Sequence, residues 1–274
     1  MNRRSALLSR VIASPYIVWA ALFIIAPLFF VVYYSFTNSA GDFTLLNIQT
    51  LPKYLPTFLR SIWFGIVATL ICLIIAFPLA YIISQKSEKA QRTFVMLVML
   101  PMWMSFLIRT YSWMALLQDT GIINSFLGKL GIDPIHMINT GGAVILGMVY
   151  NFLPYMILPI YSVMAKLDYS MVEACQDLGG NSFNVIRRCI IPMSIPGVVS
   201  GITMVFVPSV STFYISQKLG GGSFDLIGDV IERQFQQSYN YNLGAALSLV
   251  LMVLIVISMA IMNHFSEGEG EMII

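Results

Sequence analysis

The chain has 274 residues, 58% of them hydrophobic and only 10% charged, with a formal net charge of +2. Soluble globular chains are about 25% charged, so this composition excludes an ordinary soluble domain and reads as membrane-embedded along its length. The small net charge gives no case for a nucleic-acid partner.

A bilayer core about 30 Å thick takes about 20 helical residues to cross. Six stretches qualify: 16–36, 61–84, 93–117, 143–164, 195–216 and 243–265. The sequence therefore predicts an all-α, polytopic membrane protein of six transmembrane helices. The first span follows the basic stretch "MNRRSALLSR". Its apolar run is longer than the ~7–15 residues of a signal peptide's core, so it reads as an uncleaved signal-anchor.

Lys and Arg set the orientation. One alternating set of segments holds Arg3, Arg4, Arg10, Lys86, Lys89, Arg92, Lys166, Arg187 and Arg188, and the other holds Lys53, Arg60, Lys129, Lys218 and Arg233. Nine against five places the first set, and both termini, in the cytoplasm. The expected organisation is a cytoplasmic segment 1–15, a six-span domain 16–265 and a cytoplasmic tail 266–274. Prolines recur at membrane depth, at Pro27, Pro78, Pro101, Pro154, Pro159 and Pro208. Each removes a backbone donor, which suggests helices bent around a pathway.

Between the fourth and fifth spans lies the polar stretch "EACQDLGGNSFNVIRRCIIPMSIPG". Residues 168–178 read as a short helix, with Ser170 and Glu173 at capping-box spacing. Gly179 stands where a left-handed cap would end it. Asn181 or Ser182 starts a second helix, from Phe183 to about Ile190. Pro192 should end that helix, with Pro196 and Gly197 turning the chain into the fifth span.

Conventional sites are missing. Cys72, Cys175 and Cys189 have no zinc-ligand spacing and read as small packing residues. His136 and His264 stand alone. The stretch "GIINSFLGKL" from Gly121 has six residues between its glycines and Leu130 where a Ser or Thr is needed, so it fails as a phosphate loop. If ATP matters, another chain binds it.

The polar loop, about 165–194, resembles the EAA loop of ABC-importer permeases, with Glu173, Ala174, Gly179 and Pro192 in register. It departs from that pattern at Cys175, Cys189 and Ile191, all small or apolar replacements. The resemblance implies a type I importer-like permease fold and a loop that docks into a cytosolic ATPase through Glu173, Ala174, Asp177, Leu178, Gly179, Gly180 and Pro192. Glu173 is equally accounted for as a cap of its own helix.

Longer blocks, "LPMWMSFLIRTYSWMALL", "VYNFLPYMILPIYSVMAKLD", "FYIS", "GDVIERQF" and "GAALS", resemble the PotB-type permeases of spermidine/putrescine importers. That resemblance implies a bacterial inner-membrane subunit without catalysis or cofactor of its own. It also implies a second permease, a PotC-type homologue, an ATPase dimer that binds ATP and Mg, and an extracytoplasmic substrate-binding protein. Permeases for other small solutes share the loop. A stand-alone secondary transporter or channel, or an intramembrane enzyme, is less well supported, because the spans hold no carboxylate and no nucleophile–base pair.

The chemistry of a polyamine path is not written in the spans. Their one charge, Arg109, would repel a polycation at close range, and it reads as snorkelling outward or binding carbonyls freed at a kink. Aromatic candidates for the path are Phe213 and Tyr214, beside Gln217, with Tyr111 and Trp113; interfacial-belt or packing roles account for most of them. Finally, "FDLIGDVIERQFQ" reads as an amphipathic surface helix with Asp225, Asp229 and Glu232 on one face, which either meets a substrate-binding protein or gathers cations, or is merely solvated.

Overall fold

The computed structural model describes residues 15–167, 169–177, 181–222 and 224–270. Among these residues the regular structure is helical, apart from an isolated antiparallel bridge between Thr37 and Phe43. In chain order the helices are α1 (Pro15–Ser35), α2 (Leu46–Ser84), α3 (Glu88–Trp103), α4 (Phe106–Leu117), α5 (Ile122–Lys129) and α6 (Gly141–Met164). Then follow α7 (Tyr169–Asp177), α8 (182–211), α9 (Tyr214–Leu219), α10 (Ile227–Gln236) and α11 (Tyr241–Gly270). Residues 1–14 of the expected segment 1–15, and residues 271–274 of the expected tail 266–274, lie outside the described residues.

Five helices, α1, α2, α6, α8 and α11, are long and apolar enough to cross a membrane. The sixth span differs from the sequence expectation of one run over 93–117. It is a pair, α3 and a segment beginning at Phe106, bent by 87°. Pro101 lies in a tight 3-10 turn, Leu100–Trp103, after which Met104 and Ser105 are extended (ψ 146° and 132°). The helical ladder stops there and restarts at α4.

The chain divides into two units, residues 1–55 with 230–254, and residues 56–229 with 255–274. In the first, α1 buries no residue before Ser35 and exposes Trp19, Phe23 and Phe29, as befits a helix that is apolar all round. Its free C-terminal carbonyls are satisfied by amides. Asn242 Nδ2 donates to Tyr34 O (3.1 Å) and Thr37 O (2.7 Å), and Asn47 Nδ2 donates to Ser35 O (3.2 Å) and Thr37 O (2.9 Å).

In the second unit, α6 is the central helix, with Val144, Met148, Met156 and Ile160 fully buried. It runs unbroken through Pro154 and Pro159. Against it lies α8, and the contact is set by two glycines one turn apart. A Cβ on Gly197 would stand 2.8 Å from Pro159 O, and one on Gly201 would stand 2.7 Å from Met156 Sδ. This is the small-xxx-small device by which membrane helices bring their backbones together.

Pro192 and Pro196 neither end a helix nor turn the chain, contrary to the sequence expectation. α8 runs through both, and through Pro208. A π-turn over Ile186–Ile190 explains the continuity: the Ile191 N–H bonds Ile186 O, one residue wider than the α pattern. The wide turn gives room for the ring that would otherwise press on the carbonyl four residues back. α1 repeats the solution, with a π-turn at Ala21–Ile25 just before Pro27. The helix ends at Ser211, short of the expected 216, where extended Thr212 separates it from α9.

Candidate functional site

Two places hold the sequence-predicted residues. The first is the polar loop. α7 forms close to the expected bounds, and Asn181 is the cap of α8: its Oδ1 accepts from the Asn184 N–H at 2.9 Å. Inward-facing Val172, Val185, Cys189 and Ile190 are buried in the core that includes Met164 and Ile160. Outward, Glu173 and Asp177 are exposed one turn apart on α7, and Phe183 and Arg187 one turn apart on α8. Leu178, Gly179 and Gly180 lie outside the described residues, as do the two ends, Asp168 and Leu178, of the expected first helix. Of Ala174 only the helical backbone is described. Pro192 sits in the first turn after the π segment. Phe183, 67% exposed, escaped the sequence reading. A large aromatic at the start of the second helix of a polar loop is the signal that marks it.

The second place lies where α9 meets α4. Tyr111 and Tyr214 are brought together with ring centroids 6.2 Å apart, edge to face. Phe106 joins them, 6.0 Å from Tyr214. Lys218 Nζ stands 5.6 Å from the Tyr111 ring and 5.7 Å from the Tyr214 ring, and Arg109 Cζ stands 5.9 Å from the Phe106 ring. All are within the ~6 Å of a cation–π contact. The result is an aromatic row with a cation at either end.

Other candidates fall elsewhere. Phe213 caps α9 from an exposed position, its carbonyl accepting from the Gln217 N–H at 3.0 Å. Trp113 stacks edge-on against Tyr150 at 5.3 Å, away from the row. Arg109 does not snorkel outward and, among the described residues, binds no freed carbonyl. It is buried, and its Nε and Nη1 have no hydrogen-bond partner among the described residues. Sequence reading missed Phe106 and Lys218. The four-residue step from Tyr214 to Lys218 was the available signal.

A buried carboxylate fixes α9. Asp229 Oδ1 lies 2.9 Å from Ser216 Oγ, and Oδ2 accepts from the Leu226 N–H at 2.8 Å. The second contact is a capping box made by an Asp at the third position of α10. The next amide, Ile227 N–H, donates to Ser61 Oγ at 2.7 Å, tying α10 to α2. The solvated acidic face expected for 224–236 is corrected here. Asp229 is only 2% exposed, because the orphan donors at the start of α10 and the Ser216 hydroxyl draw it inward.

The model of the family "Binding-protein-dependent transport system inner membrane component" matches residues 2–268. The chain is 37% identical over 249 residues to the spermidine/putrescine transport system permease protein PotB of Haemophilus influenzae, covering 87% of each chain. It is 35% identical over 245 residues to the protein of that name in Escherichia coli K12, covering 86% of this chain and 89% of the relative. The inner membrane ABC transporter permease protein YdcU of that strain is 30% identical, covering 84% of this chain and 78% of the relative. A chain of a bacterial ABC transporter involved in the import of the acidic polysaccharide alginate superposes with a TM-score of 0.77 at 18% identity, covering 97% of this chain and 96% of that one.

Proposed function

Because the chain belongs to the family of binding-protein-dependent transport system inner membrane components, the permease subunits of ABC importers, we propose that it carries polyamines, spermidine and putrescine, across the inner membrane. A multi-pass permease of this family is a non-catalytic transport subunit that works with an ATPase and a substrate-binding protein. In our reading ATP and Mg are bound by the ATPase, the second permease is a distinct PotC-type chain, and both termini are cytoplasmic. The orientation rests on the distribution of Lys and Arg. It puts α7 and the start of α8 on the ATPase side and the α4–α9 row toward the outside.

The observation that carries the substrate is the identity of 35–37% with named spermidine/putrescine permeases over most of both chains. The aromatic row suits it, since alkylammonium groups bind ring faces. The loop offers a mechanism. α8 is one uninterrupted helix from the loop to Ser211, so a push on Phe183 and Arg187 near its start is passed along it. Closure of the ATPase dimer would then tilt α8 against α6 and alternate the access of the path.

The test is reconstitution of the chain with its ATPase, second permease and binding-protein partners in proteoliposomes. ATP-dependent uptake of labelled putrescine and spermidine, with none of an alginate oligosaccharide, is the expected result. Uptake of the anion alone would overturn the polyamine assignment and make Arg109 and Lys218 its counter-charges. Uptake persisting without the ATPase would overturn the coupling.

A further inference from the structure

The aromatic row has an occupant of its own. Lys218 ends in a primary ammonium on a four-carbon stem, and that ammonium lies over two tyrosine faces at once, 5.6 and 5.7 Å from their centroids. Among the described residues no carboxylate stands within salt-bridge distance of it. Lysine side chains ordinarily extend their heads to water. This one folds back onto rings instead, at a place where Tyr111 is 45% exposed, so the tyrosine pair is open to a ligand from outside. The backbone beneath it is firm: α9 is held by Ser216 against Asp229, and its last carbonyl, Leu219 O, accepts from the Asn139 N–H at 2.9 Å.

We propose that Lys218 is a tethered surrogate for the substrate's ammonium, which an arriving polyamine displaces from the Tyr111–Tyr214 pair. This inference rests on the polyamine reading above and adds a regulatory residue to it. The chemistry is symmetrical, since the lysine side chain beyond Cα is a butylammonium and putrescine is a butane chain with an ammonium at each end. Two ammonium groups do not share one pair of faces, because like charges at contact repel. Binding therefore exchanges one cation for another, with three consequences. The site stays weak, so that substrate leaves it inward. A neutral solute, which gains little from the rings, does not expel the resident cation. Once the ammonium has moved on, Lys218 returns and opposes re-entry. Arg109, on the Phe106 ring at the far end of the row, is buried and does not exchange.

The experiment uses the full reconstituted importer and measures the concentration dependence of labelled putrescine uptake for wild type, Lys218→Met, Lys218→Ala and Lys218→Arg. Removing the resident cation is expected to lower the KM about two- to fivefold, the range set by an exposed cation–π contact. Lys218→Arg, which keeps a cation on the rings, should stay near wild type. Adding Tyr214→Leu to Lys218→Met should abolish the gain. A KM that is unchanged or raised in both Lys218→Met and Lys218→Ala, with wild-type uptake intact, overturns the surrogate role and leaves the polyamine reading standing. If the wild-type importer takes up neither putrescine nor spermidine, the polyamine reading itself falls and the surrogate falls with it.

Discussion

Two prolines enter long apolar helices of this protein with opposite results. At Pro192 the helix goes on, because a π-turn hands the Ile191 N–H to Ile186 O and widens the ladder around the ring. At Pro101 the chain tightens into a 3-10 turn, leaves the helical region at Met104 and Ser105, and resumes at 87° to its former direction. A proline guarantees that the ladder is disturbed. Whether the preceding turn widens or tightens decides between a rod and a corner. The rod, α8, is suited to carrying motion from the polar loop. The corner frees α4 to aim Phe106 and Tyr111 at α9.

The largest expected effect is in the loop that precedes the rod. Gly179→Trp adds a bulky ring where the ATPase is proposed to approach the backbone. ATP-dependent uptake should fall by at least about tenfold, within the range of ordinary coupling energies, with membrane insertion retained. Normal uptake, measured in proteoliposomes against an immunoblot of inserted protein, would remove the docking role from Gly179.

A smaller effect is expected where the rod bears on its neighbour. Gly201→Leu drives a side chain toward Met156 Sδ and the Met156 backbone, with an added Cβ already 2.7 and 3.2 Å from them. Overpacking of this kind costs about 1–3 kcal/mol. A lowered midpoint of thermal denaturation in detergent checks it. A midpoint at or above that of wild type would mean that α6 and α8 are not held at the backbone contact seen here.

Next comes the buried carboxylate that steadies the corner's partner. Asp229→Ala removes the acceptor of the Leu226 N–H and the contact to Ser216. Loss of such a cap costs about 1–2 kcal/mol. The same denaturation assay should record it, and faster amide exchange at Leu226 would localise it.

These contrasts show what was legible in the sequence and what was not. Hydrophobic run length marks six places to cross a membrane, since a bilayer demands about 20 apolar helical residues whatever the fold. Asn181 as the cap of α8 follows from local capping chemistry. The fate of the prolines does not, because it depends on the hydrogen-bond register of neighbouring turns, which no single residue type encodes. Asp229 misled for a related reason. Helical spacing puts it in line with Asp225 and Glu232, but its carboxylate answers to donors at Leu226 and Ser216, the latter on another helix. The aromatic row was half visible. Tyr214 stands out as an aromatic at a span end and Tyr111 as an aromatic within the third span, whereas Lys218 counted only as a loop charge until α9 turned it back onto them.

The smallest expected effect tests the comparison at its root. Pro192→Ala restores a backbone donor and removes the reason for the π-turn. An interior proline costs about 3 kcal/mol in an ordinary helix, so a large gain in stability would follow if Pro192 were strained. It is not expected, because the wide turn already accommodates the ring. Returning to α register would rotate residues 181–190 by about 100° relative to the rest of α8. That rotation would carry buried Val185 and Cys189 out of the core. Their burial should therefore hold the π register even with alanine in place, leaving stability within about 1 kcal/mol of wild type and uptake unaltered. Amide exchange at Ile191 is the discriminating measurement. Protection like that of wild type means that core packing sets the register and the proline is fitted to it. A gain of about 3 kcal/mol with loss of uptake would mean that the proline alone bends the ladder, and that rod and corner differ only in the turn that each proline happens to impose.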